Sequence, residues 1–108
     1  MYSTEDIEQL KDMIISIVPD ACRVYLFGSY SRGTADVHSD LDIAIITEGQ
    51  LERKAKLNLL SDLWNATCEQ GYSIDFILKP LDDFEDEKDL PTLSKVINTE
   101  GKLLWQRI

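Results

Sequence analysis

Along residues 4–18, apolar side chains fall at helical spacing: Ile7, Leu10, Ile14, Ile17 and Val18 make one face, which predicts a helix. Ser3 or Thr4 can cap its start, Glu5 and Asp6 suit its positive end, and Pro19 stops it. The pattern then changes. Residues 22–27 are apolar at nearly every position, as in a strand covered on both faces, and Gly28 breaks that run. Ser29 through Arg32 read as a short helix or turn ended by Gly33, residues 34–39 as a polar connection, and residues 40–47 as a second strand. From residue 51 to about residue 70, Leu51, Ala55, Leu59 or Leu60, Leu63, Trp64 and Thr67–Cys68 repeat at three and four, so a second helix is expected with Trp64 in the core. Gly71 ends it.

Residues 73–78, SIDFIL, alternate as a third strand with Ile74, Phe76 and Leu78 on one face and Asp75 and Ile77 on the other. An aspartate inside an apolar strand is costly unless it is paired or bound to a metal, which singles out Asp75. The six acids between Asp82 and Asp89 read as a solvated loop or frayed helix; a metal-binding or basic-partner surface is the competing reading. A last helix over residues 92–99 carries Leu93, Val96 and Ile97, and residues 102–105 return as an extended tail. There are no repeats and no low-complexity linker.

Composition narrows the class. The chain has 108 residues, 44% apolar and 29% charged, enough for one domain with a single core. No apolar run approaches the roughly 20 residues of a membrane-spanning helix. The acidic start, MYSTEDIEQL, lacks the regions of a signal peptide, so a cytoplasmic location is expected. Cys22 and Cys68 then fit reduced, buried thiols rather than a disulfide or zinc ligands. Twenty acids against 11 Lys and Arg give a net charge of −9, which argues against general nucleic-acid binding and suits a basic protein partner.

The candidate chemistry lies between the first two strands. Asp40 and Asp42, two apart on a strand, project to the same face with Cα atoms roughly 6.6 Å apart. Carboxylates so placed can converge on a hard cation such as Mg²⁺, and Asp75 would complete a three-carboxylate cluster if its strand is a neighbour. Gly28 lets backbone approach a ligand, amides at a helix start favour phosphate, Ser29 adds a hydroxyl, and Arg32 can neutralise phosphate charge. A nucleoside triphosphate held between the two ends would suit in-line attack at phosphorus, with two ions activating the hydroxyl and steadying the leaving pyrophosphate. His38 reads as a surface-loop residue, and Ser39 as orienting the start of the second strand.

Gly28-Ser29, ten residues, Asp40-Leu41-Asp42 and a later Asp75, with Arg32-Gly33 and Ser39 in place, resembles the signature of the polymerase-beta-like nucleotidyltransferase superfamily. Ser31 stands where many relatives have alanine. The chain looks like a minimal nucleotidyltransferase, the type paired with HEPN proteins. The resemblance implies an α/β (α+β) fold, a small mixed sheet with helices packed on it, as one domain over residues 1–108. It implies Asp40, Asp42 and Asp75 as metal-holding and catalytic, Asp75 drawing the acceptor's proton, and Gly28, Ser29 and Arg32 as nucleotide-binding. It also implies two Mg²⁺ ions, ATP as substrate, AMP transfer to a tyrosine of a HEPN ribonuclease toxin, and an antitoxin role, with a partner chain or a second copy completing the site. Two other readings stay open: an antitoxin that neutralises its partner by docking alone, and a structural domain whose acids pair with Arg23 or Arg32.

Overall fold

The computed structural model describes residues 2–28, 33 and 40–107. Its first helix, α1 (Thr4–Ile17), begins in a capping box: the Asp6 amide donates to Ser3 Oγ at 3.1 Å, and the Ser3 amide to the Asp6 carboxylate at 2.9 Å. Strands β1 (Ala21–Phe27) and β2 (Leu41–Thr47) follow, then α2 (Arg53–Glu69), β3 (Ile74–Pro80), α3 (Leu81–Glu87), α4 (Leu93–Glu100) and β4 (Lys102–Gln106). The sheet order is β3-β2-β1-β4; β2 and β3 run parallel, and the other two pairs are antiparallel. This is the small mixed sheet with packed helices that the sequence suggested. Among the described residues, no helix is long and apolar enough to cross a membrane.

Helices cover the sheet on both faces, which explains why β2 is apolar at almost every position. On one face Leu10 and Ile14 of α1 and Leu63 of α2 pack with Val24, Leu26, Leu41, Ile43, Ile45, Ile74 and Leu78. On the other, Phe84 of α3 and Ile97 of α4 pack with Cys22, Phe27, Ala44 and Ile46. A register shift between Ala21 and Arg23 keeps Cys22 on that second face. The closing residues are extended as expected and form a paired strand: β4 pairs with β1, and Arg107 donates to the Pro19 carbonyl at 2.5 Å.

Three expectations need correction. Of the two solvated readings of the acidic run the helical one holds, though the helix is anchored rather than frayed: α3 is held by fully buried Phe84 against the Tyr25 ring, 5.6 Å between centroids. Its acids face outward and are partly paired. Glu85 meets Lys88 at 2.7 Å and Arg23 at 3.2 Å, and those cations hold its carboxyl below the usual range. Glu87 likewise pairs with Lys79 of β3. Trp64 is 62% exposed instead of core, because α2 turns Leu63 and Thr67 inward and Trp64 sits one position, about 100°, further round. Cys68 follows Thr67 by the same step and is exposed, whereas Cys22 is buried, its thiol pushed up by burial; both are free.

Candidate active site

The site residues collect where three strand ends meet. Residue Phe27 of β1 is opposite Asp42 of β2, and Asp42 is in register with Asp75 of β3. Parallel neighbours lie about 4.8 Å apart, so Asp42 and Asp75 leave the same face side by side. That is the face of Ala44 and Ile46, but the helical cover has run out: Ala44 is fully buried, Asp42 half-buried and Asp75 exposed. The expectation that Asp75 is buried therefore fails, and the cause is topological. The strand carrying it is the edge of the sheet.

Gly28 follows β1 directly and has φ +74°. A Cβ on it would collide with Oδ2 of Asp42, so only glycine lets the backbone lie against that carboxylate. The approach expected at this glycine was to a ligand; the neighbour found among the described residues is the Asp42 side chain. Gly28→Ala is expected to destabilise the fold by about 2–3 kcal/mol, combining left-handed strain with the displaced carboxylate. Gly71, also at positive φ but with open space around it, is the control, and Gly71→Ala should cost only about 1 kcal/mol. Urea unfolding of the two variants separates the collision from the strain.

Asp40 lies just before β2, exposed, and its Oδ1 accepts from Ser73 Oγ at 2.5 Å. Ser73 is tied in further: its carbonyl accepts from the Leu41 amide at 3.1 Å and its own amide donates to the Tyr2 hydroxyl at 2.6 Å. Tyr2 in turn stacks on Tyr72, with centroids 5.3 Å apart. Ser73 is a site neighbour that sequence reasoning treated only as a strand start. Its position two before Asp75, on the same strand face, was the available signal.

Among the described residues, no three His, Cys, Asp or Glu side chains are gathered closely enough to hold an ion. Asp42 and Asp75 share a rung of the sheet, while Asp40 is engaged with Ser73. The donor set is nonetheless all carboxylate oxygen, the chemistry of a hard divalent cation, and like charges on one rung call for such compensation. Ser29 and Arg32, with His38, Ser39 and the expected turn and connection around them, lie outside the described residues.

The polymerase beta nucleotidyltransferase family profile matches residues 8–107. Protein adenylyltransferase MntA of Shewanella oneidensis is 35% identical over 92 residues, covering 82% of this chain and 56% of the relative. The chain thus spans little more than half the length of that curated relative. Among solved structures, a toxin–antitoxin with AMP-PNP is 28% identical with a TM-score of 0.64, covering 93% of this chain and 73% of the other. The tri-AMPylated HEPN toxin of Shewanella oneidensis in complex with MNT antitoxin is similar at 25% identity, TM-score 0.55 and the same coverages. A family match over nearly the whole chain, on a sheet that sets Asp42 beside Asp75 and Gly28, shows that this chain belongs to the polymerase beta nucleotidyltransferase family.

Proposed function

We propose that this chain transfers AMP from ATP to a hydroxyl on a HEPN-type partner protein and acts as its antitoxin. The observation that carries the reading is the rung shared by Asp42 and Asp75, against Gly28, in a chain 35% identical to a protein adenylyltransferase. Asp40, Asp42 and Asp75 would hold Mg²⁺, up to two ions, which when bound neutralises phosphate charge. Gly28 and Ser29, with Arg32, would take the triphosphate. Asp75, exposed on the edge strand, accepts the proton as the acceptor oxygen bonds to the α-phosphorus. The bond from that phosphorus to the β-phosphate oxygen breaks, and pyrophosphate leaves.

The reading of an antitoxin that only docks draws support from one feature: Asp40 faces Ser73 rather than its fellow carboxylates. One experiment divides the two. The chain is incubated with Mg²⁺, a purified HEPN partner and ATP labelled at either the α- or the γ-phosphate. Covalent α-label without γ-label is the expected result. Neutralisation of the partner's ribonuclease activity with neither label attached would establish docking alone.

A further inference from the structure

Asp42 and Asp75 occupy one rung of the parallel ladder, and Asp40 and Ser73 stand two residues earlier, at the starts of the same two strands. Strand alternation sends all four side chains to one face. Three of the four are carboxylates, and the fourth is a hydroxyl with a specific engagement. Ser73 Oγ donates to Asp40 Oδ1 at 2.5 Å, and the Ser73 carbonyl accepts from the Leu41 amide at 3.1 Å. One residue thus grips both the side chain and the backbone of the segment that enters β2. Ser73 is fixed in turn. Its amide, beyond the first ladder pair Leu41–Ile74, donates to the Tyr2 hydroxyl at 2.6 Å. Tyr2 is itself held by stacking on Tyr72 and by packing against the core. Among the described residues, Ser73 is the one partner of the Asp40 carboxylate.

We infer that Ser73 is a positioning residue for Asp40: its hydroxyl aims the carboxylate by Oδ1 and leaves Oδ2 open to a divalent cation, while Tyr2 fixes Ser73. The inference rests on the proposed metal-dependent AMP transfer and adds a residue that acts on it through Asp40. An ionised carboxylate accepts at both oxygens, so a hydrogen bond to one orients the group without using up the other. Carboxylates that bind metals are ordinarily oriented in this way, and loss of the orienting partner costs about 10–100-fold in metal affinity or activity. The residue type fits the place. A neutral donor adds no charge to three neighbouring carboxylates, whereas a fourth acid would repel them and a lysine would compete with the cation. The contrast with Asp42 shows why Asp40 needs it. Asp42 is half-buried and lies against the Gly28 backbone; Asp40 is exposed ahead of its strand and has no such wall.

Ser73→Ala in the full chain tests this. Mn²⁺ binding, read by electron paramagnetic resonance without nucleotide or partner, should weaken by about tenfold or more. The Mg²⁺ concentration that half-saturates AMP transfer to a purified HEPN partner should rise by a similar factor, with kcat at saturating Mg²⁺ within about threefold of wild type. Ser73→Thr keeps the hydroxyl and should bind Mn²⁺ within about threefold of wild type. Tyr2→Phe removes the acceptor of the Ser73 amide and should weaken Mn²⁺ binding in the same direction, by less. Ser73 is exposed and its backbone bond to Leu41 survives the change, so Ser73→Ala should unfold in urea near the wild-type midpoint. Unchanged Mn²⁺ affinity in Ser73→Ala would overturn the inference. Tighter binding would overturn it too, because the hydroxyl would then be a competitor of the ion. A wild type that binds Mn²⁺ in a Ser73-dependent way yet transfers no label would keep the positioning role and remove the AMP-transfer reading instead.

Discussion

Asp40→Asn combined with Asp42→Asn is expected to lower AMP transfer by about 1,000-fold, or about 4 kcal/mol of transition-state stabilisation, without unfolding the protein. Asparagine keeps the size and one oxygen of each side chain but removes the charge that a divalent cation requires. Asp40 is exposed and Asp42 half-buried at a strand end, so little packing is lost. The stability effect should even have the opposite sign to the activity effect. Asp42 and Asp75 are like charges on one rung, an arrangement that costs roughly 0.2–1 kcal/mol. Without divalent ions, the double variant should therefore melt no lower than wild type, and up to about 4 °C higher. Adding Mg²⁺ should raise the melting temperature of wild type and not of the variant. The paired measurement is label transfer beside thermal melting with and without Mg²⁺. A variant that loses transfer and also melts well below wild type would make these aspartates structural.

That opposition of stability and activity also marks how far the chain could be read before its fold was known. Periodicity located α1, α2, α4 and the first three strands to within a few residues, because each has a face to bury: Leu10 and Ile14 in α1, Leu63 in α2, Ile97 in α4. Spacing likewise picked out Asp40, Asp42 and Asp75, and the parallel register of β2 and β3 brings the last two together. What local pattern does not carry is sheet order. The run SIDFIL reads the same in the middle of a sheet as at its edge, so Asp75 was expected to be buried and Trp64 to be core. Asp75 sits at the start of β3, the edge strand, beyond the helical cover, and Trp64 lies one step round α2 from the inward residues Leu63 and Thr67. Nor does spacing show hydrogen bonding, which is why the Tyr2–Ser73–Asp40 connection emerges only from the fold.

Phe84→Ala is expected to destabilise the protein by about 3–5 kcal/mol, the range for emptying a buried aromatic site. A chain of this length has roughly 5–15 kcal/mol in total, so about a fifth or more of it depends on one ring. Nothing in the surrounding acidic run prepares for that. Yet α3 is only seven residues long, too short to persist on its own, and has no side-chain cap at its start. Phe84, fully buried, is its anchor, backed by the pairing of Glu87 with Lys79 and of Glu85 with Arg23. Exposed neighbours give the contrast: Asp86→Ala should change stability by no more than about 0.5 kcal/mol, and Phe84→Leu by under about 1.5 kcal/mol. Urea unfolding followed by circular dichroism measures all three. A cost below about 1 kcal/mol for Phe84→Ala would return the run to the solvated segment its composition suggests. At the expected cost, the helix is a lid on Ala44 and Ile46, the two residues that continue the Asp42 face of β2. Its loss would then loosen the strand that holds Asp42 as well as the core beneath it.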